Sequence, residues 1–499
     1  MSETSHEKKN MEVSQYNEGP NLNRSAVNEC YRMKGREQKI SLDSCLQSTK
    51  AEPEYLAAGQ TFLWITENNL TDNPQIKYGL LEQILSPVNL NQAYKQVMSN
   101  KGSSGIDKME VESLKDYLVE NKEVLMGSIL SGKYCPNPVL RVSIPKEDGK
   151  QRQLGIPTVV DRVIQQAISQ ELTKLYDVQF SNNSYGFRPK RNAHGALKQC
   201  QEYISEGYIH AVKIDFAKFF DTVHHSKLIE VLSREISDGR VVSLIHKYLN
   251  AGVMVGGDLQ ESKSGVPQGG PLSPLLSNIM LNELDKELES RGHRFVRYAD
   301  DLLILCKSQR SAERTLEHIL PYITDKLFLK VNMEKTRVIR VSKVKFLVYS
   351  FYINKGKGRF RVHPDSIAKL RERLRWLTSR SNGWGNERRK ERLRQYIIGW
   401  VNYFKLADMK YHLQVVDEWY RRRLRMVIWK QWKRIRTRLT KLTRLGIDKY
   451  KAWQYANTRK GYWHTANSPI VTRAITTSRL KQAGYVFLSD YYGKVRFVN

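Results

Sequence analysis

Tyr298-Ala299-Asp300-Asp301 sets two adjacent carboxylates in a hydrophobic frame. Phe295-Val296-Arg297 precedes them and Leu302-Leu303-Ile304-Leu305 follows. Two apolar runs around a short polar break read as a tight β-hairpin with the carboxylates at its turn. Carboxylates beside buried strands are costly without a positive partner. A divalent cation is the simplest one, because Mg²⁺ takes oxygen ligands and shares one or two carboxylates with substrate phosphates. Taken alone, the Asp pair also fits an ordinary solvated turn. Upstream, Ala211-Val212-Lys213-Ile214-Asp215 alternates as a strand does. Asp215 falls at its end, before a turn into a helix, where a cap or a surface charge is the plain alternative. Three carboxylates on neighbouring strand ends make a two-metal site. Such a site clamps the attacking and leaving oxygens of an in-line phosphoryl displacement.

The rest of the chain has to position that triad and supply its partner. It has 499 residues, enough for two to four domains. Lys and Arg number 82 against 51 Asp and Glu, a formal charge of +31. That excess calls for a polyanion, with nucleic acid ahead of an anionic membrane. No apolar run is long enough for a membrane span, and the N-terminus has no secretory signal pattern. The five cysteines are scattered without a CxxC pair, so neither zinc nor a disulfide framework is indicated and a reduced, cytoplasmic compartment is expected. Residues 1–58 read as a flexible polar leader. Leu90, Ala93, Tyr94, Val97 and Met98 open a helical period near Asn89. Helices are expected over Ser366–Ser379 and Asn386–Phe404, and the chain beyond about 362 reads as all-α. Arg421 to Arg444 holds eleven cations and no acid, with Leu424, Ile428, Trp429 and Trp432 at helical spacing. It reads as one basic amphipathic helix, its tryptophans packing and its cations facing an anion.

At this point the sequence resembles a known family, the bacterial group II intron reverse transcriptase/maturases. The Tyr-Ala-Asp-Asp hairpin and the Asp215-x-x-x-x-Phe220-Asp221 element are similar to reverse transcriptase palm motifs. Further matches run in the family's order. Lys101-Gly102-Ser103-Ser104-Gly105-Ile106-Asp107 comes first, then Ile144-Pro145-Lys146, Lys150 to Pro157, and Ser184-Tyr185-Gly186-Phe187-Arg188-Pro189. Gly265-Val266-Pro267-Gln268-Gly269-Gly270-Pro271 follows, with Val331 to Thr336 after the hairpin. Gly399 to Phe404 and Trp429 to Lys433 look like the maturase region.

The resemblance implies a right-hand α/β (α+β) polymerase of fingers and palm, followed by an all-α thumb/maturase domain. Its divisions would be an N-terminal extension and start of fingers at 59–135, fingers and palm at 136–354, and a basic helical thumb and maturase region at 362–499. No endonuclease domain is expected. The implied activity is RNA-directed DNA synthesis on intron RNA, with help to splicing and mobility. Asp215, Asp300, Asp301 and the Phe216 carbonyl would hold two Mg²⁺, with Mn²⁺ as a substitute. Lys146, Arg152, Phe220 and Gln268 would bind the deoxynucleoside triphosphate, Phe220 by excluding a 2′-hydroxyl. Tyr298, Gly269, Gly270 and Lys335 would meet primer and template. Arg421, Arg422, Arg423, Arg425, Lys430, Lys433 and Arg434 would bind RNA. The partners would be group II intron RNA and a DNA target or primer, without a membrane, in the bacterial cytosol or nucleoid. Where the family usually reads Phe-Leu-Gly in the primer grip, this chain has Phe346-Leu347-Val348, which affects primer positioning. Two alternatives stay open: a splicing factor without significant polymerase activity, and a defence-associated reverse transcriptase.

Overall fold

The computed structural model describes residues 79–145, 149 and 151–496. The expected leader, the first part of the expected N-terminal extension and Lys146 lie outside the described residues. The helical period near Asn89 forms the helix Pro87–Asn100. Ser86 caps it by accepting from the Asn89 N–H, and proline stands in its first turn, where a missing N–H costs nothing. Leu90, Ala93 and Val97 are its buried stripe.

Among the described residues ten strands make three sheets. β1 (Val139–Pro145), β2 (Gln151–Ile156), β4 (Val253–Val255) and β5 (Asp258–Gln260) run in the order β2-β1-β4-β5. β3 (His210–Ile214), β6 (Arg294–Tyr298), β7 (Asp301–Cys306) and β8 (Arg337–Arg340) form an antiparallel sheet in the order β6-β7-β3-β8. β9 (Tyr349–Asn354) and β10 (Lys357–Val362) close a separate hairpin through the Lys355-Gly356 turn. After Val362 the described residues form helices and loops.

The central sheet is covered on both faces, which is why β7 reads as an unbroken apolar run rather than an alternation. Val212, Ile214, Leu302 and Ile304 enter one core with α1 (Val159–Tyr176) and α3 (Ser273–Ser290). Ala211, Leu303 and Leu305 enter the other, with α2 (Ala193–Ser205) and the C-terminal helices. Those include α4 (Pro364–Leu377), α5 (Asn386–Phe404), α6 (Lys410–Gln431), α7 (Ile435–Arg444) and α8 (Lys449–Ala456). The expected single helix from Arg421 to Arg444 is therefore corrected. α6 ends at Gln431, and Trp432 turns away at ψ 64° before α7 begins. Among the described residues no helix is long and apolar enough to cross a membrane.

Candidate active site

Tyr298 pairs with Asp301, so β6 and β7 are joined by the two residues Ala299 and Asp300. Ala299 has φ +56°. That is the first position of a turn that favours glycine, and a Cβ there costs about 1 kcal/mol. A buried network holds the turn in place. Arg297, fully buried, donates from Nε to Asp285 Oδ1 at 2.8 Å, and its Nη2 reaches Asp285 Oδ2. Its Nη1 donates to Asn278 Oδ1 at 2.9 Å and to the Ala299 carbonyl at 3.1 Å. Asn278 Nδ2 in turn donates to the Gly186 carbonyl at 2.8 Å. Gly186 lies against the turn so closely that a Cβ would stand 2.3 Å from the Ala299 nitrogen. The Ser184–Pro189 motif is thus a backing plate for the aspartate turn. Arg188 stiffens it from Asp177 at 2.7 Å and from the Ser181 and Ser184 carbonyls.

Asp215 follows β3. The register pairs Ile214 with Leu302, so one step further Asp215 faces Asp301 across the two strands. Like charges directly opposite one another repel. Burial pushes the Asp301 carboxyl up; Lys213 opposes this, and Asp300 and Asp215 add to it. Lys213 Nζ stands 3.8 Å from Asp301 Oδ1, and Lys335 Nζ stands 3.8 Å from Asp215 Oδ2. Among the described residues no three His, Cys, Asp or Glu side chains converge closely enough to hold a metal ion by themselves. The donor set nevertheless suits a hard divalent cation: oxygen ligands on adjacent strand ends, with repulsion for a cation to relieve. A backbone oxygen is also available. Asn332 N–H donates to the Asp215 carbonyl and Ala217 N–H to Lys330, bracketing the Phe216–Val331 bridge. That pattern leaves the Phe216 carbonyl directed to the other edge of β3, where β7 begins.

Arg152, Gln268 and Phe220, the expected nucleotide residues that the structure describes, are linked through the Gly265–Gly270 loop. Arg152 Nε donates to Gln268 Oε1 at 2.9 Å, and Gly155 N–H donates to the Gln268 carbonyl at 2.7 Å. Gly269, at φ +131°, lies where a Cβ would be 2.6 Å from the Gly155 carbonyl. Gly270 accepts from the Ser273 N–H at the entry to α3. Phe220 is half-buried, its ring edge-on to Phe219 and its carbonyl accepting from Val266 N–H. The segment after Asp215 is thereby tied to the loop that carries Gln268.

The basic row divides. Arg425 is 8% exposed and donates to the Ile475 carbonyl at 2.9 Å, so its assignment to RNA is corrected. Arg423 binds Thr378 Oγ1 at 2.6 Å and two carbonyls. Arg422 binds the Trp463 carbonyl and lies 4.0 Å from that ring's centre, while Lys430 holds the Arg380 carbonyl at 2.8 Å. These three brace the helical region. Arg421 is half-buried near Asp417, and Lys433 and Arg434 are exposed. Trp429 is buried, as the packing reading of the tryptophans requires.

Four features were absent from the residue-level expectation: Arg297 with Asp285, Asn278, Lys213 and Tyr403. A charge at an inward position of an apolar strand was the available signal for Arg297. Lys213 could have been found from its place two residues before Asp215, on the same strand face. Tyr403 stands inside the Gly399 to Phe404 match, but nothing in that match ties it to the aspartates. Its hydroxyl donates to the Leu347 carbonyl at 3.1 Å, and burial, with Tyr298 and Asp301 near, pushes it up to about 12.

Comparison with known proteins bears on both halves of the chain. The family described as reverse transcriptase (RNA-dependent DNA polymerase) matches residues 144–351. The family described as group II intron, maturase-specific domain, matches residues 367–446. Protein YkfC of Escherichia coli (strain K12) is 33% identical over 303 residues, covering 53% of this chain and 80% of that protein. Group II intron-encoded protein LtrA of Lactococcus lactis subsp. cremoris is 30% identical over 359 residues, covering 58% of this chain and 59% of that protein. A chain of the solved partial Cas6-RT-Cas1--Cas2 complex is 25% identical over 50% of this chain and 43% of that chain. Its TM-score of 0.33 is too low to argue from.

Proposed function

Because the chain belongs to the family of group II intron reverse transcriptases and maturases, we propose that it is an RNA-directed DNA polymerase that also binds intron RNA and assists its splicing. The family uses divalent metal ions. In this reading β1 and β2 belong to the fingers, the β6-β7-β3-β8 sheet to the palm, and the helices after Val362 to the thumb and maturase region. Asp215, Asp300 and Asp301, with the Phe216 carbonyl, hold Mg²⁺. Two such ions, when bound, make the primer 3′-hydroxyl a better nucleophile and neutralise charge on the phosphates.

The protein's own groups do the rest. Arg152, with Lys146, offers cations to the triphosphate, Arg152 as a planar fork. Gln268, held by Arg152 and Gly155, meets the nascent base pair, and Gly269 and Gly270 let backbone approach it. Phe220 lies below the incoming sugar and excludes a 2′-hydroxyl. Tyr298 borders the primer end. Lys335, beside Asp215, offers a cation to phosphate oxygens in the same place.

The single observation that carries this reading is the placement of Asp215 opposite Asp301 at the ends of the two central strands of a sheet covered on both faces. Asp300→Ala and Asp301→Ala test it. Each should lower nucleotide incorporation by orders of magnitude while RNA affinity stays near wild type, because the binding cations lie elsewhere. Substantial synthesis by both variants would sink the assignment.

A further inference from the structure

α8 carries two large rings that the fold does not use. Tyr450 is 69% exposed and Trp453 55% exposed. They are three residues apart, so they share one face of the helix. The opposite face is filled: Ala452 and Ala456 are fully buried, and with Leu442 and Ile447 they pack α8 against α7. Arg438 secures the pair from behind, donating to the Trp432 carbonyl at 2.9 Å and reaching the Ala456 carbonyl. The rings therefore stand on a rigid platform.

The charge around them is one-sided. From Trp419 to Ser489 the chain has 18 Lys and Arg and one acid, Asp448. That acid is consumed: its Oδ1 accepts from the Tyr450 and Lys451 N–H groups at the start of α8, each at 3.1 Å. Lys433, Arg434, Arg436, Lys441, Lys449 and Lys451 are exposed on or beside the two helices. Among the described residues none of these six is in an ion pair. Exposed rings ringed by unpaired cations match one ligand chemistry well. Unpaired bases have π-faces and a phosphate backbone, whereas a duplex hides its bases in the stack.

We propose that Tyr450 and Trp453 form a stacking platform for an unpaired segment of RNA, whose phosphates meet the cations of α7 and α8. The proposal rests on the reading that the chain binds RNA, and it names which kind of RNA structure this end of the helical region takes. A protein partner would face a uniformly positive surface. An anionic membrane would meet two rings on a helix of eight residues, without an apolar face to insert.

The experiment compares wild type with Tyr450→Ala/Trp453→Ala and with Trp453→Phe. The probes are a short unpaired RNA, an RNA duplex of equal length and vesicles of anionic lipid. The double variant should keep the wild-type melting temperature, since both rings are exposed. It should bind unpaired RNA about tenfold more weakly or worse, as expected when base–aromatic stacks are removed. Its duplex affinity and salt slope should not change, because no cation is removed. Unpaired RNA should quench the Trp453 contribution to fluorescence, measured as the difference between wild type and Trp453→Phe, and Trp453→Phe should keep most of the affinity. Equal losses on unpaired and duplex RNA, or quenching by vesicles and not by RNA, would overturn the platform. Wild type that binds RNA while the double variant binds it equally well also overturns the platform and leaves the RNA reading standing. Wild type that binds neither RNA overturns that reading and this proposal together.

Discussion

Arg297→Met separates the stability of the active-site turn from its chemistry. Arg297 and Asp285 are both fully buried, and they meet through two guanidinium nitrogens. Removing the guanidinium leaves the Asp285 carboxylate in the core without its counter-charge, which costs about 3–5 kcal/mol for a buried pair. Burial already pushes the Asp285 carboxyl up and Arg297 pulls it back, so its loss in the variant drives that carboxyl higher still. A folded pKa above the unfolded value favours the protonated form. The variant should therefore be least impaired in acid and lose stability as pH rises through the folded pKa. The double variant Arg297→Met/Asp285→Leu removes both charges, and well-packed apolar replacements of buried pairs are often neutral or stabilising. Urea midpoints should then show the double variant close to wild type and far above either single one. Nucleotide incorporation should behave differently. Neither variant restores the bond from Nη1 to the Ala299 carbonyl, nor the link to Asn278, so incorporation should stay low in the double variant even where stability returns. Full recovery of incorporation along with stability would refute the idea that this guanidinium positions the aspartates. So would a double variant as unstable as the sum of the two singles.

Phe220→Ala should raise the use of ribonucleotides relative to deoxynucleotides, and an unchanged ratio of kcat/KM values would make Phe220 a packing residue. Lys433→Gln/Arg434→Gln/Arg436→Gln should weaken RNA binding, with the salt slope falling by about 0.7–0.9 for each phosphate that the protein no longer neutralises. Arg425→Gln should act through a lower melting temperature instead, because that side chain is enclosed; a drop in salt slope with the melting temperature intact would contradict this. Lys213→Met removes the main group that holds the raised Asp301 carboxyl down. The acid limb of primer extension should then move to higher pH, and a limb that stays in place would mean that the 3.8 Å contact has no electrostatic weight.

Two turns near the carboxylates take backbone conformations that their residues resist. Ala299 is at φ +56°, and Leu347 and Val348 follow one another at +47° and +58°. A branched side chain in the left-handed region is a true outlier, and such positions persist only where surrounding contacts over-determine them. The contacts here are specific. Phe346 and Tyr349 exchange backbone hydrogen bonds across the Leu347-Val348 pair. Tyr403 from α5 donates to the Leu347 carbonyl, and the Tyr349 hydroxyl donates to the Tyr403 carbonyl. His194 also meets that carbonyl at 2.6 Å. The strain at Val348 is thus held by a helix of the C-terminal region, whose Tyr403 also lies near Tyr298 and Asp301. Glycine would relax this turn and remove the need for the clamp.

The parts of the site that could be read from the sequence are those with short-range signatures. The hairpin is announced by two apolar runs, Asp215 by its strand, and the helices Asn386–Phe404 and Pro364–Leu377 by their period. The break at Trp432 escaped because the apolar positions on both sides keep helical spacing, and only the packing of Arg438 on Trp429 and of α7 on α8 makes the turn worthwhile. The basic row was misjudged for a related reason. Sequence gives the sign of a charge but not its donors' destinations, and backbone carbonyls at Ile475, Trp463, Thr378 and Arg380 compete for guanidinium and ammonium groups as phosphates do. A cation in such a run is a candidate for nucleic acid once the backbone acceptors within its reach are counted. That count moves the candidates for RNA from the middle of α6 toward Lys433, Arg434 and the helices that follow.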